Sequence, residues 1–275
     1  MHLNFAFTFN QILWTVTFAA QLVLLIVLLG RERSQRFPFF TASILVMALR
    51  LLFEELLSGR MPVFTLQSVL LSLEDLSAIL GLLVVVEIAR LSFPGARRSA
   101  WLIAAPLLVL LAGLSLVYWG PWPPHAELAV DSRLALLRLM QFLGQKADIY
   151  VGLLTVGLSL LVLCFGRRFK TGWRKHSSLL LVGLFVSAAT WLGISAYWQH
   201  VMHSIHPGIT REQYQQVVAL SKTLFSANRI VGIAVTLGWI ASMWIDEPVS
   251  NPVVETAAQE LSDLPAAADA APAEE

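Results

Sequence analysis

The stretch RERSQRFPFFTASILVMALRLLFEELL occupies residues 31–57 and decides the fold. A basic turn at its start ends one apolar segment, and Phe-Pro-Phe-Phe opens the next. Proline suits the first turn of a helix, where its missing N–H would have no partner. Arg50 and Glu54 then lie one helical turn apart within apolar sequence. The stretch therefore predicts a membrane-spanning helix that carries charge within the bilayer.

The composition of the whole chain supports a membrane protein. Of its 275 residues, 57% are hydrophobic and 13% are charged, whereas soluble domains have about 45–50% apolar and about 25% charged residues. Seven apolar segments have about the length that a membrane helix needs: 9–30, 38–57, 63–89, 101–120, 134–165, 178–199 and 219–245. The predicted fold class is all-α, a polytopic bundle of seven transmembrane helices.

Basic residues are distributed unevenly between the connections of these segments. Eleven follow the first, third and fifth segments: Arg31, Arg33, Arg36, Arg90, Arg97, Arg98, Arg167, Arg168, Lys170, Arg174 and Lys175. Four lie at or near the opposite ends: Arg60, Arg133, Arg211 and Lys222. Because cytoplasmic loops carry the excess of lysine and arginine, we expect the N-terminus outside and the C-terminus inside.

The last part of the chain differs in composition from the rest. From Asp246 onward it contains eight acidic residues and no lysine or arginine, together with four prolines and many alanines. Such a segment cannot bury enough apolar surface to fold. We therefore expect a transmembrane domain over residues 1–246 and a disordered, acidic, Pro/Ala-rich cytoplasmic tail over residues 247–275.

Three stretches carry a resemblance to a known group of proteins. They are RERSQRFPFFTASILVMALRLL, LSAILGLLVVVEIARLSFP with its Glu87, and GWRKHSSLLLVGLFVSAATWL. With them the chain resembles a family of uncharacterised seven-span bacterial integral membrane proteins. The resemblance implies seven spans and a multi-pass protein of the bacterial inner membrane. It implies no activity and no catalytic residues.

Charged residues within the apolar segments are the main candidates for function. The predicted polar cluster consists of Arg50, Glu54, Glu74, Asp75, Arg138, Gln141, Gln145, Asp148 and Arg229. Glu55 and Lys146 are further intramembrane charges. A charge at the bilayer centre costs about 2.5–3.5 kcal/mol on insertion scales, so we expect these groups to face a shared interior. Counted from the inner ends of their segments, most of these groups lie in the outer half of the membrane. This position favours a polar cavity that opens outward.

Two interpretations of this cluster remain open. It binds a small polar or anionic ligand or forms part of an ion path, or its ion pairs only hold the helices together. Within it, Arg50 is expected to pair with Glu74, Asp75 or Glu54. Glu87, near the inner end of the third segment, is expected to pair with Arg90 or a neighbouring basic loop.

Histidines at the outer end of the sixth segment suggest a further, weaker site. His200 and His203 could share a helix face and bind zinc or copper through their imidazoles. The spacing matches no recognised zinc signature, so interfacial histidines without a metal are the alternative.

Signatures of several membrane activities are missing. A retinal protein needs a Schiff-base lysine in its seventh span, but Lys222 lies at the outer edge of that segment and position 229 is arginine. Neither G-x-S-x-G nor H-E-x-x-H occurs. The leading hypothesis is therefore a sensory or ligand-binding membrane module that is not an enzyme. A small transporter or channel subunit is the rival, and a membrane-embedded enzyme is third. No cofactor and no nucleic acid are expected; the expected partners are the lipid bilayer, a small ligand and a cytoplasmic protein.

Overall fold

The computed structural model describes residues 8–92, 98–119, 122, 132–165, 175–204 and 210–245. In these ranges every regular element is a helix, which confirms the all-α fold class for this part of the chain. The helices are α1 (Phe9–Gly30), α2 (Arg33–Arg36), α3 (Pro38–Leu57), α4 (Val63–Ser92), α5 (Arg98–Tyr118), α6 (Arg133–Phe165), α7 (Lys175–Ser204) and α8 (Arg211–Trp244). The predicted tail, 247–275, and the basic stretch 167–174 lie outside the described residues.

The basic turn between α1 and α3 reverses the chain within a few residues. Glu32 adopts a left-handed backbone conformation with φ 54°, which is uncommon for a residue other than glycine. The single-turn helix α2 follows, and Pro38 opens α3. Phe37, which precedes Pro38, makes no side-chain capping bond. The first turn of α3 therefore needs an acceptor from another part of the molecule.

Six helices form a ring in which each packs against two neighbours. The order around the ring is α1, α3, α4, α6, α7 and α8, and α8 closes the ring against α1. Helix α4 also contacts α7. Helix α5 packs against α6 and has no place in this order. Sequence order and spatial order therefore diverge after α4, where α6 rather than α5 is the next neighbour.

The hydrophobic core of the described residues lies at the end of the bundle where α1 finishes and α3 begins, called here the basic end. The core cluster there takes its side chains from the C-terminal halves of α1, α4, α6 and α8 and from the N-terminal halves of α3 and α7. Phe40 and Trp239 meet edge to face with ring centroids 5.0 Å apart. Such aromatic pairs contribute about 0.5–1.5 kcal/mol beyond the area that they bury.

Glycines allow close approach where these helices meet. A Cβ atom added to Gly183 of α7 would collide with the indole of Trp239 on α8. A Cβ atom on Gly152 of α6 would lie 3.2 Å from Leu192 on α7. Since lipid supplies no hydrophobic force between helices, small residues that permit close van der Waals contact are typical of membrane bundles.

Five of the described helices are long and apolar enough to cross a membrane. They are Phe9–Gly30, Val63–Ser92, Arg133–Cys164, His176–Met202 and Arg211–Trp244. Helix α3 is not one of the five, because it carries three charges, Arg50, Glu54 and Glu55. The apolar helix Ala104–Tyr118 within α5 is shorter than the five. Several long apolar helices indicate a multi-pass, membrane-embedded protein.

Candidate functional site

An ion pair between α3 and α4 lies at the centre of the predicted polar cluster. The guanidinium Nη2 of Arg50 donates to Oε2 of Glu74 across 2.8 Å. The sequence predicted Glu74, Asp75 or Glu54 as the partner of Arg50, and the partner in the structure is Glu74. The side chains keep exposed fractions of 40% and 27%, so the pair is only partly buried.

The depth of this pair follows from a contact nearer the basic end, where Glu87 meets the backbone of Phe40. Arg50 is ten residues beyond Phe40 on α3, and Glu74 is thirteen residues before Glu87 on α4. At helical rise these separations are about 15 Å and about 20 Å. The ion pair therefore lies well away from the basic end of the bundle.

Two further carboxylates lie close to the ion pair. Asp75 approaches α6 so closely that a Cβ atom on Gly144 would lie 2.8 Å from its Oδ1. Asp148, one turn beyond Gly144, is near enough to Arg50, Glu74 and Asp75 to interact with their charges. Neither aspartate makes a hydrogen bond or an ion pair with any residue that the structure describes. Helices α3, α4 and α6 thus contribute four ionisable groups to one place.

Sequence reasoning missed two members of this neighbourhood. Gly144 supplies the space into which Asp75 fits. Ser77, one turn beyond Glu74 on α4, has a buried hydroxyl oxygen without a hydrogen-bond partner in the described residues. The spacing of Ser77 from Glu74 could have identified it, but the role of Gly144 depends on the packing of α4 against α6.

The other predicted members are exposed and do not join the four ionisable groups. They are Glu54, Arg138, Gln141, Gln145 and Arg229, and none makes a hydrogen bond or ion pair with another described residue. Gln141, Gln145 and Asp148 follow one face of α6, as their spacing predicts. The contacts in this part of the chain therefore support a smaller group: Arg50, Glu74, Asp75 and Asp148.

The predicted metal site lies partly outside the described residues and stays a prediction. His200 is exposed near the end of α7, while the side chain of His203 lies outside the described residues. The described residues contain no group of three histidine, cysteine or acidic side chains that could hold a metal ion.

Glu87 has a role that differs from the predicted one. Its Oε1 accepts from the backbone N–H of Phe39 at 3.2 Å, and its Oε2 accepts from that of Phe40 at 3.0 Å. The buried carboxylate caps α3 and forms no ion pair with Arg90, which is exposed, so that predicted pairing is wrong. The predicted alternative, a neighbouring basic loop, stays a prediction. A carboxylate at a helix N-terminus satisfies orphan N–H donors and complements the helix dipole. Two of the three stretches that carry the resemblance are thus in direct contact.

Lys146 also bonds to the end of a helix rather than to the polar cluster. Its ammonium donates to the backbone carbonyl of Trp119, just after α5 ends. It also lies 4.8 Å from the ring centroid of Trp122 and 5.6 Å from that of Phe142. A cation at a helix C-terminus and over aromatic faces is favourable. The structure therefore explains Lys146 without a ligand.

Comparisons with protein families, with curated proteins and with solved structures found no match to this chain. The resemblance drawn from the three sequence stretches therefore stays a prediction.

Proposed function

We propose that the chain is a seven-span sensory or ligand-binding protein of a bacterial inner membrane, with its N-terminus outside. The observation that carries the proposal is the group formed by Arg50, Glu74, Asp75 and Asp148. Ionisable groups within membrane spans are rare and are most often functional. The alternative is that the charged groups only hold the helices together. It accounts for Glu87 and Lys146, which bond to helix ends, but Asp75 and Asp148 have no partner among the described residues.

The proposal adds α3 and α5 to the five apolar helices as membrane spans. Helix α3 has 20 residues, which is about 30 Å at helical rise and matches the hydrocarbon thickness. It packs between α1 and α4, both of which are long and apolar enough to span. Its residue Arg50 is paired rather than left in lipid, and its other two charges, Glu54 and Glu55, lie in the last turn of the helix.

Orientation follows from the excess of basic residues at one end. Arg31, Arg33 and Arg36 belong to the basic end, and the positive-inside rule assigns that end to the cytoplasm. The group of four charges then lies well away from the cytoplasmic end of the bundle. This position favours a site that a ligand enters from outside.

The charge balance of the group favours one class of ligand. It combines one guanidinium with three carboxylates, so the fully ionised group has an excess of negative charge. Isolated charges are unfavourable in a low-dielectric interior. A small polar ligand with a positive charge offsets the excess, whereas an anionic ligand increases it. We therefore favour a cationic ligand over the anionic one that the sequence left open.

Thermal unfolding of the purified protein with a panel of small cations and anions tests this proposal. A cation that binds should raise the melting temperature of the wild type but have a weaker effect on Asp148→Asn. Glu54→Gln, which removes an exposed carboxylate on α3, is the matched control and should respond as the wild type does. Stabilisation by no cation, or equal stabilisation of both variants, would contradict the proposed site.

Flux measurements in vesicles then separate the two leading functions. Binding of the cation without flux favours the sensory module. Uptake that is lost in Asp148→Asn favours the transporter or channel subunit. Turnover of the ligand favours the membrane-embedded enzyme.

A further inference from the structure

A row of three residues on α8 changes from buried to exposed along the helix. Trp239, Gly232 and Phe225 follow one another at seven-residue spacing, which places them on one face. Trp239 is packed in the core, whereas Phe225, furthest from the basic end, has an exposed fraction of 48%. Between them, a Cβ atom on Gly232 would meet no atom within 4 Å. The face of α8 that fills the core at the basic end therefore borders an open space further along the helix.

Gln21 of α1 is a buried polar side chain at the level of this space. It lies one turn before Leu25 on the same face of α1, and Leu25 belongs to the core. Helices α1 and α8 run in the same direction and end together, where Arg31 contacts the ring of Trp244. Counted back ten residues along both helices, Gln21 is level with the turn that follows Gly232. Its exposed fraction is 7%, yet its Oε1 has no hydrogen-bond partner in the described part of the chain. A buried acceptor without a partner is unfavourable, so it indicates a ligand or a water molecule at this place.

Trp191 of α7 contributes a donor at the same level. The first turn of α7 bonds to the end of α8, so these two helices run in opposite directions. Gly183 of α7 packs against Trp239, and eight residues further from the basic end Trp191 is level with the residue next to Gly232. Trp191 shares a face of α7 with Leu184, which packs against the core. Its buried Nε1–H has no hydrogen-bond partner among the residues that the structure describes. Since α1 and α7 both neighbour α8, an unpaired acceptor and an unpaired donor border the space beside Gly232.

We propose that this space, bordered by Gln21, Trp191, Gly232 and Phe225, is a binding pocket for a neutral, membrane-soluble molecule with a phenolic hydroxyl. A hydroxyl group both donates and accepts, so a single one pairs with the Gln21 oxygen and the Trp191 N–H. The aromatic rings of Trp191 and Phe225 suit a flat apolar body. The exposure of Phe225 leaves the pocket open on the side away from the basic end. The pocket is built from α1, α7 and α8, whereas the group of four charges lies on α3, α4 and α6, so the proposal does not depend on the function of that group.

Isothermal titration calorimetry of the full chain in a neutral detergent tests the pocket with para-propylphenol, after subtraction of titrations into detergent alone. The heat should saturate at a single site. Propylbenzene should bind about tenfold more weakly, because it leaves the donor and the acceptor unpaired. Gln21→Leu should weaken binding of para-propylphenol about fivefold but leave that of propylbenzene unchanged. Without a probe, Gln21→Leu should melt at a higher temperature than the wild type, because leucine removes the unpaired acceptor.

Two glycines of α8 provide a matched pair of variants. Gly232→Leu fills the space and should abolish binding of para-propylphenol. Gly238→Leu adds the same side chain at a position where a Cβ atom also meets nothing within 4 Å, but this glycine is exposed on another face of the helix. Its binding should therefore equal that of the wild type. If Gly232→Leu does not fold, the affinities of the two probes for Gln21→Leu decide the question.

The anion para-propylbenzoate tests the charge of the ligand, because Arg229 is exposed one turn before Gly232. It should bind more weakly than para-propylphenol, since Gln21 and Trp191 offer no charge to offset a carboxylate. The proposal is overturned if para-propylphenol gives no saturable heat, if propylbenzene binds equally well, or if the benzoate binds more tightly. It is also overturned by an unchanged affinity of Gln21→Leu for para-propylphenol, or by a loss of binding in Gly238→Leu.

Discussion

Replacing Glu87 by alanine tests how a buried carboxylate stabilises this bundle. The change leaves the backbone N–H groups of Phe39 and Phe40 without their acceptor, and Pro38 before them has no N–H to offer. Each buried donor that loses its partner costs about 1–3 kcal/mol. We therefore expect Glu87→Ala to lower the free energy of unfolding by about 2–6 kcal/mol, since two donors are affected.

Glu87→Gln separates the hydrogen bonds from the size of the side chain. The amide retains one carbonyl oxygen, so one of the two backbone donors keeps its acceptor and about half of the loss should be recovered. Reversible unfolding in mixed detergent micelles gives the free energies. Glu54→Ala removes an exposed carboxylate from the surface of α3 and should change stability by less than about 0.5 kcal/mol.

Two outcomes would contradict the role of the Glu87 carboxylate as the cap of α3. If Glu87→Ala unfolds like the control, the carboxylate does not stabilise the first turn of α3. If Glu87→Gln is as damaging as Glu87→Ala, the negative charge matters and the count of hydrogen bonds does not.

Three further predictions concern the pairing, the packing and the orientation of the helices. A double-mutant cycle with Arg50→Ala and Glu74→Ala, measured by unfolding in detergent, should give a coupling energy of about 1–2 kcal/mol, which lies between the values for exposed and for buried ion pairs. A coupling energy of zero would show that the ion pair does not stabilise the bundle. Gly183→Ala should lower the melting temperature because its methyl group meets the indole of Trp239, and adding Trp239→Phe should recover part of that loss; an unchanged melting temperature would contradict the close approach. A reporter fused after Arg36 should be cytoplasmic and one in the connection between α5 and α6 external, and the reverse result would refute the proposed orientation.

Much of the helical architecture could be predicted from the sequence, because apolar length is a local property. Each of the seven predicted segments overlaps a long helix, and Glu74 is one of the three partners that the sequence predicted for Arg50. The partners of Glu87 and Lys146 could not be found in this way. Glu87 bonds to residues 47 and 48 positions away, and Lys146 to the end of a neighbouring helix. Such contacts depend on which helices are neighbours, and periodicity does not determine that order.

The closure of the ring by α1 and α8 has a consequence for how the protein is made. Side chains from Leu24 to Ala48 leave the ribosome well before Trp239 and Met243, yet they share a core with these two residues. The first inserted helices must therefore remain in the bilayer with part of their packing surface covered by lipid until α8 arrives. A nascent chain that stops before α8 therefore leaves this packing surface without its protein partner.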